Sequence, residues 1–185
     1  GYTTLTLNGT SGSLLDFEVN GTHTGEIYAD GTTVFGIQAI GSRALNFKTN
    51  NTERMRITNS GVIQSTNGTT TSEWYPSGGV QYFGTSTNHP IQFFTNNSNA
   101  MRLDSSGNLL VGKTSSDTLG TAGHELHNSG MAHHTRATGT VLYLNRTGDD
   151  GNIIDLRKDN TTVGSIGAYG GASYIGGNTN GSIYF

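Results

Sequence analysis

The chain has 185 residues, of which 32% are apolar and only 12% charged, with a formal net charge of −3 and no cysteine. A typical soluble domain carries roughly 25% charged residues, so an ordinary globule is a poor fit, and with Pro at only 2 positions collagen is excluded. Disulfides and thiolate metal sites are excluded by the absence of cysteine, no basic stripe supports a nucleic-acid partner, and no run of 18 apolar residues supports membrane insertion as a helix.

The apolar residues come in short alternating runs rich in Ile, Val, Phe and Tyr, bounded by Gly, Asn, Asp and Ser, which reads as strands and turns and not as disorder. The expected fold class is all-β: an elongated, fibrous repeat of short strands and tight turns. A chain so rich in Gly and polar residues buries too little alone, so an intertwined homotrimer is expected to supply the missing core. The start, Gly1-Tyr2-Thr3-Thr4-Leu5, reads as a strand and not as the charged region of a leader peptide.

Four blocks follow in chain order: 1–64 and 65–120 as repeat blocks, 121–137 as a spacer containing His and Gly, and 138–185 as a third repeat block. The first two share an ungapped match at a shift of 46 residues, from Phe47 to Phe93. Asn50-Asn51 returns as Asn96-Asn97, Met55-Arg56-Ile57 as Met101-Arg102-Leu103, and Ser60-Gly61 as Ser106-Gly107. With a slip of one residue, Glu26-Ile27-Tyr28-Ala29-Asp30-Gly31 resembles Glu73-Trp74-Tyr75-Pro76-Ser77-Gly78. The ends are related too: Leu14-Leu15-Asp16-Phe17 to Ile153-Ile154-Asp155-Leu156, and Leu45-Asn46-Phe47 to Ile183-Tyr184-Phe185. On that relation the sequence stops within a repeat, and the natural protein is expected to continue past Phe185.

Each unit reads as strand, turn, strand. Arg54-Met55-Arg56-Ile57-Thr58 reads as a strand with Met55 and Ile57 on opposite faces, which suits a strand covered on both sides or one twisting between environments. Asn59-Ser60-Gly61 and Asp104-Ser105-Ser106-Gly107 are turns whose Gly supplies positive φ. Val62-Ile63 and Leu109-Leu110-Val111 open the return strands. The best helical periodicity, itself weak, spans Thr121 to Ala137 and is interrupted by Gly123 and Gly130. Phe47, Met55, Ile57, Phe93, Met101 and Leu103 are the expected core of the repeat and of the trimer.

Candidate chemistry is sparse. His124-Glu125-Leu126-His127 is one residue short of the H-E-x-x-H zinc signature. On a strand His124 and His127 point to opposite faces, whereas on a helical turn they could share a metal. The favoured reading makes them, with His23, His89, His133 and His134, exposed loop histidines; no metal and no cofactor is expected. Asp149-Asp150 sits in a Gly-flanked turn, and Asp16, Glu18, Glu26 and Asp30 are spread over separate strands. They form no acid pair of the glycosidase type, no G-x-S-x-G elbow is present, and no catalytic residue is assigned. Trp74, Tyr75 and Tyr82 are candidate glycan contacts, because flat aromatic faces suit pyranose rings. The competing reading of Trp74 is core.

The segments Thr52-Glu53-Arg54-Met55-Arg56-Ile57-Thr58-Asn59-Ser60-Gly61 and Ala100-Met101-Arg102-Leu103-Asp104-Ser105-Ser106-Gly107-Asn108-Leu109 resemble a repeat common in bacteriophage tail fibres, where it often reads E-R-M-R-I-x-x-x-G. The stretch from Gly151 to Gly167 resembles a second element found nearby. Together they cover about half of the chain. The resemblance implies intertwined homotrimers in a virion tail fibre. It further implies a structural shaft in host adsorption, with other tail proteins and a host-cell glycan or protein as partners. A receptor- or glycan-binding segment and a bacterial surface adhesin sharing the repeat are the alternatives; an enzyme is not expected. The self-cleaving chaperone that often ends such fibres, with its Ser–Lys pair, is not recognisable here.

Overall fold

The computed structural model describes residues 5–30, 34–117 and 119–177 in full, and 182–184 by their backbone. Among the described residues there is no helix. Seventeen strands form four sheets, each a meander in chain order. The first sheet holds β1 (Ser13–Val19), β2 (Thr22–Ala29) and β3 (Phe35–Ala39). The second holds β4 (Leu45–Thr49), β5 (Thr52–Ile57), β6 (Ile63–Thr66), β7 (Thr71–Ser77) and β8 (Val80–Thr85). The third runs through β9 (Ile91–Thr95), β10 (Ser98–Leu103), β11 (Leu109–Val111), β12 (Gly123–Leu126) and β13 (Ala132–Thr135). The fourth holds β14 (Gly151–Lys158), β15 (Thr161–Tyr169), β16 (Ala172–Gly177) and β17 (Ser182–Tyr184). The all-β class expected from the sequence is therefore the observed one. The chain divides into two units, Gly1–Ser116 with Glu125–Ala132, and Asp117–His124 with His133–Phe185.

Each sheet opens on the same hairpin. Its turn places two consecutive residues at positive φ: Asn20 and Gly21, Asn50 and Asn51, Asn96 and Asn97, Asp159 and Asn160. Two positive-φ residues in a two-residue loop match the right-handed strand twist, and Asn, Asp and Gly tolerate that backbone best. Just after the turn each hairpin carries a bulge. The register jumps over Thr24, Arg54, Ala100 and Val163, the corresponding residue in all four. A bulge residue lets two side chains face one and resets the in–out alternation of its strand.

The turns at Gly61 and Gly107 also agree with the sequence reading, with φ of +83° and +85°. They share their bonding: Thr58 Oγ1 accepts from Val62 N at 3.0 Å, and Asp104 Oδ1 accepts from Asn108 N at 2.9 Å.

Three expectations are corrected. Met55 and Ile57 share a face, because residues two apart on a strand point the same way. The weak helical signal from Thr121 to Ala137 is instead the hairpin of β12 and β13. It closes where His127 N donates to Met131 O at 2.8 Å and Gly130 N to His127 O at 2.9 Å, with Gly130 at φ +90°. His23, His124, His133 and His134 accordingly lie on strands and not in loops. The strand expected over 1–5 falls on residues outside the described ones save Leu5, which carries no strand; Gly31 and Phe185 likewise lie outside them.

Burial is scant. Among the described residues Leu110 is the one large apolar side chain that is buried, at 0% exposure. The chain exposes 13810 Å², where a compact monomer of its mass exposes roughly 8,500 Å².

Candidate functional site

Cross-strand register decides which side chains meet, because residues directly opposite in a ladder share a face. In the second sheet Leu45 pairs with Ile57, Ile57 with Ile63, Ile63 with Trp74, and Trp74 with Phe83. Five apolar side chains thus form one row across all five strands. Phe47 and Met55 form the start of a second row on the same face. Among the described residues this face is largely uncovered: Trp74 is 55% exposed and Phe83 64%, and Phe47, Ile57 and Ile63 are exposed too, while Leu45 and Met55 are half-buried.

The same row recurs. Ile91, Leu103 and Leu109 align in the third sheet, with Phe93, Met101 and Val111 beside them. Leu15, Ile27 and Ile37 align in the first sheet, and Ile154, Ile166 and Ile175 in the fourth. All six residues assigned to a repeat core lie on this kind of face, and Phe47, Ile57, Phe93 and Leu103 remain exposed there.

The opposite face of the second sheet is polar. Asn46, Arg56, Gln64 and Glu73 follow one another across β4 to β7. Arg56 Nη2 donates to Glu53 Oε2 at 2.6 Å, and Gln64 Nε2 to Glu73 Oε1 at 2.7 Å. The hydrogen bond from the Arg56 guanidinium, helped by the charges of Arg56 and Lys48, holds the Glu53 carboxyl below its usual value against the opposing effect of burial. Tyr75 and Tyr82 pair here and stack, with ring centroids 5.1 Å apart and planes inclined by 12°. The three glycan candidates are therefore not one site. Trp74 lies on the apolar face and the two tyrosines on the polar one, since adjacent strand residues point to opposite sides.

Sequence reading missed two clusters. In the first sheet Asp16 and Glu26 are direct cross-strand partners, with His23 Nε2 at 2.9 Å from Asp16 Oδ1 and 3.4 Å from Glu26 Oε2. Along the sequence these acids are dispersed, and only the register brings them together. In the first unit Glu125 is 1% exposed and forms an ion pair with the equally buried Lys113. Ser116 Oγ donates to Glu125 Oε2 at 2.8 Å, and His127 Nε2 lies 2.9 Å from the same oxygen. Glu125 lies within the H-E-x-H string, whose spacing draws attention to the histidines and not to the acid between them. Nearby, Asn128 N donates to Asn108 Oδ1 at 3.1 Å and Asn128 Nδ2 to Ser106 O at 2.6 Å, tying one turn to another. A buried pair this well hydrogen-bonded fixes local geometry, because removing either partner strands a charge away from water.

His124 Nδ1 and His134 Nδ1 are 2.7 Å apart, the rings edge to face. Asp149 is engaged by Arg146 at 2.8 Å, and Asp150 Oδ2 accepts from Gly170 N at 2.6 Å, so this acid pair braces loops. Comparison with protein-family models, with curated proteins and with solved structures returns no match.

Proposed function

We propose that this chain is a shaft segment of a bacteriophage tail fibre, built as a homotrimer in which the apolar sheet faces of three copies meet around a common axis. The observation that carries the reading is the uncovered row Leu45–Ile57–Ile63–Trp74–Phe83 and its recurrence on the other three sheets. Isolated exposed apolar residues need no explanation, but contiguous patches mark interaction surfaces. Covering a large apolar side chain fully is worth roughly 1.5–3 kcal/mol, so many half-covered ones make assembly strongly favourable.

A second copy is the natural occupant. Every copy presents the same rows at the same repeat spacing, so like rows meet along the whole length, and a closed rotation axis stops growth sideways. The polar faces, already laced by Arg56–Glu53 and Gln64–Glu73, are left to water. The role is mechanical: a long rigid element that holds a host-recognition element away from the particle. The resemblance of the Met55-Arg56-Ile57 and Met101-Arg102-Leu103 repeats to tail fibres supplies the setting.

The test is the native mass by light scattering, before and after mild SDS. A mass near three times 19.5 kDa that persists in the detergent is expected. A well-folded monomer would overturn the proposal.

A further inference from the structure

On the polar face of the second sheet, the ladder step next to the Tyr75–Tyr82 stack pairs Glu73 with Gly84. Gly84 lies inside β8, and its backbone does not require glycine: its φ lies outside the left-handed region. Nor does space require it. A Cβ at Gly84 would meet only Ile91 Cδ1, at 3.9 Å, which is ordinary contact. A glycine inside a strand weakens it, and such a position often marks close approach by a ligand.

The other sheets sharpen the point. Gly36 lies opposite Tyr28, and the tyrosine ring folds over it, so that a Cβ there would be 2.5 Å from the ring. Gly167 lies opposite Tyr174 and is covered in the same way, at 2.8 Å. At Gly84 no ring fills the gap, because Tyr75 is held by Tyr82. What remains is a cavity of about 290 Å³ lined by Glu73, Tyr75, Tyr82, Phe83, Gly84, Thr85 and Ser86.

We infer that this cavity binds a neutral hexopyranose unit of a surface polysaccharide. The volume is on the scale of one sugar ring. A tyrosine ring offers a flat apolar wall for the C–H face of a pyranose. The Glu73 carboxylate accepts one bond from Gln64 and has lone pairs for sugar hydroxyls. Ser86 adds a hydroxyl at the far end, while the Thr85 hydroxyl is already spent on His89 O, to which it donates at 2.8 Å. The preference for a neutral sugar follows from charge: Glu73 repels a uronic acid or sialic acid, and the nearest cation on this face, Arg56, is committed to Glu53. The inference rests on the assembly reading only in that the polar face stays open to solvent. Three copies per level would then present three weak sites, and multivalency would turn weak affinity into firm attachment.

The experiment is titration of the full chain with methyl glucoside, galactoside and mannoside, and with methyl glucuronoside, followed by saturation-transfer NMR. Light scattering is run on every variant to verify its assembly. Binding of at least one neutral glycoside with a Kd on the order of millimolar is expected. Gly84→Leu, which fills the cavity, and Tyr82→Ala, which removes a wall, should each weaken it by about tenfold or more. Gln92→Ala, on the polar face of the third sheet, should leave it unchanged. Glu73→Gln should raise binding of the glucuronoside relative to the neutral sugars. No binding of any neutral glycoside at roughly tens of millimolar, binding of the glucuronoside alone, or full binding by a normally assembled Gly84→Leu would each overturn the inference. A monomer that still binds would sink the trimer and leave this site standing.

Discussion

The two halves of the 46-residue repeat share one face and differ on the other. In both β4–β6 and β9–β11 the apolar face carries the same rows: Leu45, Ile57, Ile63 in one and Ile91, Leu103, Leu109 in the other, with Phe47–Met55 matching Phe93–Met101. On the reverse face Asn46, Arg56 and Gln64 become Gln92, Arg102 and Leu110. Gln64 stays in a hydrogen-bonded ladder with Glu73, whereas Leu110 is fully buried, in a stretch that also buries Asn108, Lys113 and Glu125. On the proposed reading, the shared face answers a demand common to both copies, which is packing against a second copy of the chain. The variable face meets local demands: a solvated ladder in the first copy, a small internal core in the second.

The largest expected effects come from breaking that local core. Glu125→Ala leaves Lys113 charged and buried, and truncating one member of a buried pair typically costs about 3–5 kcal/mol. Leu110→Ala should cost about 2–5 kcal/mol. Gln64→Ala, its counterpart in the first copy, should cost about 1 kcal/mol, because one half-buried hydrogen bond is lost and no apolar core is opened. Thermal melts of the three variants check the contrast; equal losses at Leu110 and Gln64 would erase it.

The shared face should behave alike in both copies, and its effect should appear in assembly. Phe47→Ala and Phe93→Ala should cost little in an isolated chain, since both rings are already half exposed. In the proposed trimer each should cost on the order of 3 kcal/mol per chain, as for a core phenylalanine. Loss of SDS resistance with secondary structure retained by circular dichroism is the expected reading. A drop in monomer stability with unchanged mass would mean that the face packs within the chain.

The turns give a smaller, pH-dependent contrast. Burial pushes the Asp104 carboxyl up, but bonds from Asn108 N–H and side chain, from Ser106 N–H, and the charge of Arg102 outweigh it and hold the group below its ordinary value. A depressed folded-state value means stability that is complete above the unfolded value, near about 3.9, and lost as pH falls through the lower folded value. The second copy's turn should therefore lose stability on acidification, while the turn at Gly61 in the first copy, capped by the non-titrating Thr58, should not. Urea midpoints across pH 2–6 for wild type and Asp104→Thr check this, and a flatter acid limb is expected in the variant.

The smallest effect belongs to the hairpin loops. Asn51→Gly and Asn97→Gly relieve a left-handed backbone and should stabilise by a few tenths of a kcal/mol each, alike in both copies.

Much of the fold was legible because its signals are local. Asn50-Asn51 and Asn96-Asn97 declare their turns, Gly61 and Gly107 theirs, and alternating runs declare strands. The repeat itself, being ungapped, aligned Phe47 with Phe93 without any coordinates. The β12–β13 hairpin was obscured because His, Glu and Ala near its strands carry little β preference, and the turn at Gly130 is settled by pairing. The candidate sites were far less legible. Trp74, Tyr75 and Tyr82 look like one aromatic cluster along the chain, and the pleat separates them.

The sequence by itself determined the class, the repeat, the turns and the surplus of apolar side chains over what the chain can bury, because composition and local backbone preference set these. Only the tertiary structure decided which side chains share a face. That depends on register and on the bulges at Thr24, Arg54, Ala100 and Val163, each of which shifts the alternation by one residue with no compositional mark of its own. The same holds for the pairs Asp16–Glu26 and Lys113–Glu125 and for the open floor at Gly84. They exist because consecutive strands are held in one register, and no pattern within a single strand encodes that register.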